Sequence, residues 1–547
     1  MEKILRIILK SSILLVIAFC FQKLIAFTNA NQARILFENL SFLSTDPPLV
    51  GPWLYRDIYY QLSCFFFFMS FGFLYLFILP NAFSLHNTRL KNLMLIIWMV
   101  TILLTIKLKP DTYSPFKKNL VISFATVIYF VVIFRHQLIL DFYRWVISHV
   151  NLTIFTIVII STCQRLIALY FDPFFLAEGD DPKTYFSAAK ALLEGKDFLQ
   201  GSFSKGMTVF LYYCFRMFGE GQIVPKILMI FVGAVGLYCL LSFILDYTKN
   251  NAIVILVGLF YLFSSHYVSF SNQFWNENLF HPFFSIYLFL FYRLKSETNS
   301  YSKVALGFCV LLVVFVLTEL RSWFPAVFVL SVLMYFIINR KRISNTVVPF
   351  VIFLLFFVIN VAFKGKVDKP SPLFASNNME FNFLVGNNPY AQGTYSRHWF
   401  TYSEEINLSQ NKYEIFRNVL IMNLKNPDIL IHNLWKKTLL WFWGAGGPRP
   451  ISIYYQNPLS LSQTLYRCLM TIFLFTGIYR SIVAKDFFIC SMYLLIFSVH
   501  LIFFADYRFT LTAMPLQAIL VSYGLLYIWN TNWFQSNFLI QPKNEKN

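Results

Sequence analysis

The residues of this chain that are equipped for chemistry stand at the edges of long apolar runs. Asp180 and Asp181 are adjacent in "FFLAEGDDPKTYFSAAKALLEGKDF", 174–198, and Lys205 heads the aromatic stretch "GSFSKGMTVFLYYCFRMFG", 201–219. Glu277 lies in "WNENLFHPFFSIYLFLF", 275–291, and Arg321 in "VLTELRSWFPAVFVL", 316–330. Asn387 and Asn388 lie in "LVGNNPYAQGTY", 384–395, and Arg508 in "DYRFTLTAMPLQAIL", 506–520. A carboxylate at such an edge can take a proton from an attacking hydroxyl. Lysine and arginine bind phosphate oxygens and stabilise the charge that develops as a phosphate leaves. Each residue also has a plainer reading. The aspartates can be turn and helix-cap residues, Lys205 an interfacial lysine reaching for water, His281 a packed histidine, and the asparagines part of a turn-rich loop.

The elements that position these residues follow from composition. The 547 residues are 57% hydrophobic and only 13% charged, with 65 phenylalanines. A soluble domain carries roughly 25% charged residues. The apolar runs reach the roughly 20 residues a membrane helix needs, and they do not alternate as barrel strands do. The sequence therefore predicts an all-α polytopic membrane protein with about 14 spans. They fall near 4–27, 61–80, 91–108, 118–135, 150–171, 222–245, 252–270, 278–293, 303–319, 322–338, 346–363, 464–484, 486–504 and 508–529. The first is read as a membrane helix rather than a cleaved signal, because Lys23 interrupts it and further spans follow.

The net charge of +19 belongs to short loops. Arg89 and Lys91, Arg135 and Arg144, Arg293 to Lys303, and Arg340 to Arg342 recur in alternate loops, as the positive-inside rule requires of cytoplasmic segments. Nucleic-acid binding is not needed to explain it. The basic loop 107–118 is the exception to the pattern. With this orientation the candidate residues of the first paragraph fall on the outer side: Asp180, Asp181 and Lys205 in the long outer loop 172–221, Asn387 and Asn388 in the long outer loop 364–463, and Glu277, Arg321 and Arg508 at short outer turns. The eight cysteines all lie in apolar segments and show neither a disulfide framework nor zinc-ligand spacing.

Local rules shape the first outer loop. Asp181 precedes Pro182, so it suits an N-cap, and proline suits the first helical position. The helix should run to about Glu194, with Gly195 as its stop. Tyr185, Ala188, Ala189, Leu192 and Leu193 share one face, which predicts a short amphipathic helix at the membrane surface. The stretch "WKKTLLWFW", 435–443, reads as an interfacial helix with a tryptophan belt.

In their order, these motifs resemble those of the GT-C membrane glycosyltransferases, in the branch of protein O-mannosyltransferases and the lipid A aminoarabinose transferase. The likeness covers 150–530. It carries an acidic pair in the first outer loop, an "ALLEG" helix, an acidic residue opening a later span, a glycine–asparagine loop, and a last span opening with arginine. Residues 1–149 show no likeness and read as an extra module of about four spans; 531–547 reads as a cytoplasmic tail. The resemblance implies a GT-C-like helical bundle that moves a sugar, with inversion, from a polyprenyl-phosphate donor to a glycan, lipid or protein acceptor at the outer face. It implies Asp180 as general base, Asp181 at a second acidic position often held by glutamate, and Glu277 as a further acidic residue. It places Lys205, Arg321 and Arg508 near the phosphate, with Asn387 and Asn388 as candidate substrate contacts. No cofactor is expected, a divalent metal is not favoured, and the expected home is a bacterial inner membrane. A polysaccharide polymerase or ligase, a lipid-linked sugar transporter and an inactive scaffold are the competing classes. The early acidic pair and the lack of clear internal repeats weigh against the first two.

Overall fold

The computed structural model describes residues 141, 145–171, 181–196, 206–264, 267–268, 273–339, 379–388, 391, 412–443, 461–503, 505 and 509–529. Asp180, Lys205 and Arg508 lie outside them, as do the candidate spans 4–27, 61–80, 91–108, 118–135 and 346–363. Among the described residues all regular structure is helical.

The remaining candidate spans fall on helices. These are α1 (Val150–Phe171), α4 (Ile223–Thr248), α5 (Asn251–Phe263), α6 (Asn276–Ser296), α7 (Ser300–Leu320), α8 (Phe324–Asn339), α12 (Leu461–Val483), α13 (Phe487–Ile502) and α14 (Thr510–Trp529). The connecting segments supply α2 (Asp181–Leu193), α3 (Gly206–Phe218), α9 (Met379–Asn387), α10 (Lys412–Lys425) and α11 (Pro427–Trp443). Among the described residues four helices, α1, α4, α7 and α14, contain stretches long and apolar enough to cross a membrane, which marks the chain as a helical membrane protein. The span expected over 252–270 is shorter: α5 ends at Phe263, where Ser264 turns to extended backbone.

Helix ends are set by short polar side chains. Asn250 accepts the amide of Ala252 to open α5, and Asn299 accepts those of Tyr301 and Ser302 to open α7. Helix α2 closes as expected. Gly195 adopts φ +72°, and Lys196 donates its amide to Ala191 at 2.9 Å, the two marks of a Schellman cap. Its buried face is narrower than expected, with Pro182, Tyr185 and Ala189 inside and Leu193 36% exposed.

Close packing relies on small residues, as in membrane bundles generally. A Cβ on Gly477 of α12 would lie 1.8 Å from the Leu520 carbonyl oxygen of α14, so the two backbones touch there. A Cβ on Gly236 of α4 would lie 2.5 Å from Pro282 of α6. Inside, Phe280, Phe284 and Tyr287 of α6 pack edge-on against Phe324 of α8. On α7, Val310, Val314 and Leu317 face this core while Val304, Phe308, Leu312 and Phe315 stay exposed. An apolar outer face of that kind suits a hydrocarbon solvent.

The bundle has two chemically different ends. Helix α6 is 21 residues, roughly 30 Å at 1.5 Å per residue. At its C-terminal end Arg293 pairs with Asp246 at 2.7 Å, and Tyr292 donates to the Asp246 carbonyl at 3.1 Å. Nearby, Tyr247 donates to the Asp486 carboxylate. Its N-terminal end carries Asn276 and Glu277 and meets α2, α3, the end of α7 and the start of α14.

Candidate functional site

Glu277 occupies the first turn of α6, after Trp275 in extended backbone. Arg321 caps the C-terminus of α7, also in extended backbone, with its amide bonded to the Leu317 carbonyl at 2.8 Å. A carboxylate at a helix N-terminus and a guanidinium at a helix C-terminus are each favoured by the helix dipole. Antiparallel α6 and α7 bring those ends side by side, and Arg321 Nη2 pairs with Glu277 Oε1. The glutamate side chain is 1% exposed and the arginine 20% exposed, so the pair is sealed on the glutamate side and reachable from the arginine side. The guanidinium lies 5.1 Å over the ring of Phe509, which stacks on His500 at 4.8 Å. Arg321 Nε is buried and has no hydrogen-bond partner among the described residues.

Asn276 ties the amphipathic helices to this turn. Its Nδ2 donates to the Tyr185 hydroxyl of α2 at 2.8 Å, and its Oδ1 accepts the Met207 amide of α3 at 3.2 Å. Gly206 lets α3 approach α7: a Cβ there would lie 2.6 Å from Leu320 Cδ2, one residue before Arg321. Of the residues nominated from sequence, Glu277 and Arg321 therefore touch. Asp181 opens the helix that is fastened to their turn.

Asn387 and Asn388 sit in a separate polar network. The sequence reads "GNNPYAQG" as a loop, but Gly386 and Asn387 lie in the last turn of α9, because the apolar residues before them bury against α10. Asn387 Nδ2 donates to the carbonyls of Phe383 and Ile502, both at 2.8 Å, and its own carbonyl accepts Asn423 Nδ2 at 2.8 Å. Asn388 Nδ2 donates to the Leu384 carbonyl at 2.9 Å, and the Asn388 carbonyl accepts Asn433 Nδ2 at 3.4 Å. Lys437 of α11 closes the network, donating to Asn387 Oδ1 at 2.8 Å and to the Leu501 carbonyl at 2.9 Å. Burial pushes its ammonium down to about 7. The reading of 435–443 as a tryptophan belt misses this. Trp435 is half exposed, but Lys437 and Trp441 are buried, with Trp441 Nε1 donating to the Tyr493 hydroxyl at 3.1 Å.

A second unanticipated group is Arg165, the only charged residue of α1. It is buried, donating to the Ile230 carbonyl at 3.3 Å and the Tyr267 hydroxyl at 3.0 Å, and its head fills the notch left by Gly233. His281 is packed beside it, with Nε2 2.6 Å from the Tyr261 hydroxyl and its ring against Tyr267. The signal in the sequence was a lone arginine inside an apolar run, which in a membrane marks a satisfied and usually functional position.

Neither the family models nor the curated proteins searched give a match to this chain. What the site can do therefore rests on its geometry. Arg321 holds and orients the Glu277 carboxylate and turns a partly exposed cationic edge outward, beside aromatic rings. That arrangement can receive an anionic group.

Proposed function

We propose that the chain is a membrane glycosyltransferase that moves a sugar from a polyprenyl-phosphate donor to a glycan, lipid or protein acceptor at the outer face of a bacterial inner membrane. The observation that carries this reading is the Glu277–Arg321 pair, buried at the bundle end where α2 and α3 converge through Asn276. An oriented carboxylate beside a reachable guanidinium suits a reaction in which a hydroxyl is activated while a phosphate departs.

In this reaction the acceptor hydroxyl oxygen attacks the anomeric carbon from the face opposite the phosphate. The new C–O bond forms as the bond to the phosphate oxygen breaks, and the configuration inverts. The electron pair leaves with the polyprenyl phosphate. The hydroxyl proton passes to a carboxylate, assigned to Asp180, with Asp181 beside it. Glu277 orients the acceptor or the base, and Arg321, with Lys205 and Arg508, neutralises the phosphate. No metal or cofactor is invoked.

The test uses the purified full chain and its Asp180→Asn and Glu277→Gln variants with a panel of radiolabelled polyprenyl-phosphate sugars, scoring release of sugar to water or to cell-envelope acceptors. Turnover of one donor by the parent, lost in Asp180→Asn while donor binding persists, supports the reading. Equal turnover by parent and Asp180→Asn moves the base to Asp181 or Glu277. Failure to bind any donor sinks the reading in favour of a polymerase, a transporter or a scaffold.

A further inference from the structure

Helices α9 and α10 share a small core of Phe383, Leu384 and Val419, separate from the core of the bundle. Helix α11 joins the two. Trp441 and Phe442, near its C-terminus, are buried in the main core, whereas Ile431 and Trp435 nearer its start are exposed. The seam that fastens this unit to the end of α13 is polar. Lys437 Nζ donates to Asn387 Oδ1 at 2.8 Å and to the Leu501 and Ile502 carbonyls at 2.9 and 3.3 Å. Asn387 Nδ2 adds bonds to the Ile502 and Phe503 carbonyls at 2.8 and 3.4 Å. A unit with few buried apolar contacts of its own, held by a polar seam, is the kind that opens ahead of the rest of a fold.

Lys437 is fully buried, and its three acceptors are all uncharged oxygens. The last carbonyls of α13 favour a cation. A buried charge without an ion partner is nevertheless costly, and here burial wins: it holds the ammonium down to about 7. The elements packed against α11 supply no counter-charge. Tyr493 and His500 of α13 meet Trp441, one turn further along α11. Arg467 of α12 lies by Trp441 and Phe442. Glu414, Arg417 and Lys425 of α10 are exposed, and Glu380 of α9 is about two turns from Asn387. On α11 itself Asp428 and His432 are exposed and Lys436 is half-buried.

We propose that Lys437 is a pH-sensitive latch: proton uptake releases α9, α10 and the first turns of α11 from the end of α13, about the anchored Trp441, and proton loss seats them. Seated, the lysine titrates at about 7; released into water it titrates near ~10.4. Between these values opening takes up a proton. The open fraction therefore falls by up to about tenfold for each unit that pH rises, and it levels off below 7. The latch lies close to the Glu277–Arg321 pair. Trp441 packs on His500 at 5.1 Å, His500 stacks on Phe509 at 4.8 Å, and Phe509 lies 5.1 Å beneath the Arg321 guanidinium. Releasing the end of α13 loosens the first of these supports, whatever reaction the pair serves.

The experiment is amide hydrogen exchange of the full chain in lipid nanodiscs between pH 6 and 9.5. It is read by mass spectrometry on peptides from α9, α10 and the start of α11, with peptides from α4 and α6 as reference. Rates are corrected for intrinsic exchange at each pH, and single mass envelopes mark equilibrium opening. The open fraction of the latch segments should fall roughly fiftyfold or more from pH 7.5 to 9.5 and change by less than about twofold from pH 6 to 7. Lys437→Met should remove this slope, with thermal unfolding as the folding control. Lys437→Gln, which keeps a hydrogen-bond donor, repeats the comparison if the methionine variant does not fold. An open fraction independent of pH in the parent overturns the latch, and this reading needs no variant. A slope that persists in a folded Lys437 variant assigns the proton to another group and overturns it as well. An equal slope in the α4 and α6 peptides means that the whole bundle opens and no local latch exists. No sugar donor enters the measurement, so its failure and the failure of the transferase reading are separate results.

Discussion

The amide of Asn276 reaches the hydroxyl of Tyr185 across 91 residues of sequence, at 2.8 Å, and both groups are buried. Through this bond the surface helix α2 is pinned to the turn that carries Glu277. Tyr185→Phe removes the hydroxyl that accepts this buried amide proton. It should cost about 1–3 kcal/mol, read as a lowered thermal unfolding midpoint. Unfolding indistinguishable from the parent would mean that this bond does not hold α2 in place.

The Glu277–Arg321 pair should behave as a coupled unit. Glu277→Gln leaves a guanidinium without its carboxylate, and Arg321→Gln leaves a carboxylate with 1% exposure and no ion partner in that arginine. Losing one member of a buried pair costs about 3–5 kcal/mol, whereas losing both removes the stranded charge. The double variant should therefore be more stable than the sum of the single losses implies. A double-mutant cycle on unfolding free energies checks this, and strict additivity would show that the two side chains do not interact in solution.

Much of this arrangement was legible in the sequence because it depends on local rules. Among the described residues apolar length located the long helices, the αL requirement identified Gly195 as the stop of α2, and placement at the edges of apolar runs nominated Glu277 and Arg321. What stayed hidden depends on partners distant in sequence. Lys437 and Trp435 look alike in an aromatic helix, yet only the lysine meets the C-terminal carbonyls of α13. Leu193 fits the apolar face of α2 by spacing but stays 36% exposed at the end of the helix. Asn387 reads as loop because its neighbours are turn formers, and burial of Phe383 and Leu384 keeps it in the last helical turn instead. Arg165 was visible as an anomaly, but its acceptors, Ile230 and Tyr267, could not be named from α1 alone.

The contact between α12 and α14 should tolerate no side chain at its tightest point. Gly477→Ala puts a methyl group 1.8 Å from a main-chain oxygen that cannot rotate away, so the helices must separate. Overpacking of this kind costs typically about 1–3 kcal/mol, and more against backbone. Gly221→Ala is the matched control, since a Cβ there meets nothing within 4 Å. The expected outcome is a strongly reduced yield of folded protein for the first and parental behaviour for the second, read by size-exclusion chromatography in detergent. Equal yields would indicate that α12 and α14 are farther apart than this packing requires.

Lys437 gives the protein a pH dependence of definite sign. Its folded-state pKa is held down to about 7 by burial, while an unfolded lysine titrates near ~10.4. Between these values the unfolded chain binds the extra proton, so stability should rise as pH increases from about 7 towards 10, and this contribution should be flat below 7. Lys437→Met keeps the length of the side chain and removes the titration, at the cost of the bonds to Asn387 and Leu501. Thermal midpoints measured at pH 6.5, 8 and 9.5 should therefore show the parent gaining stability relative to Lys437→Met as pH rises. A difference that stays constant across the series would mean that the ammonium remains charged in the folded state and that its oxygen acceptors outweigh its burial.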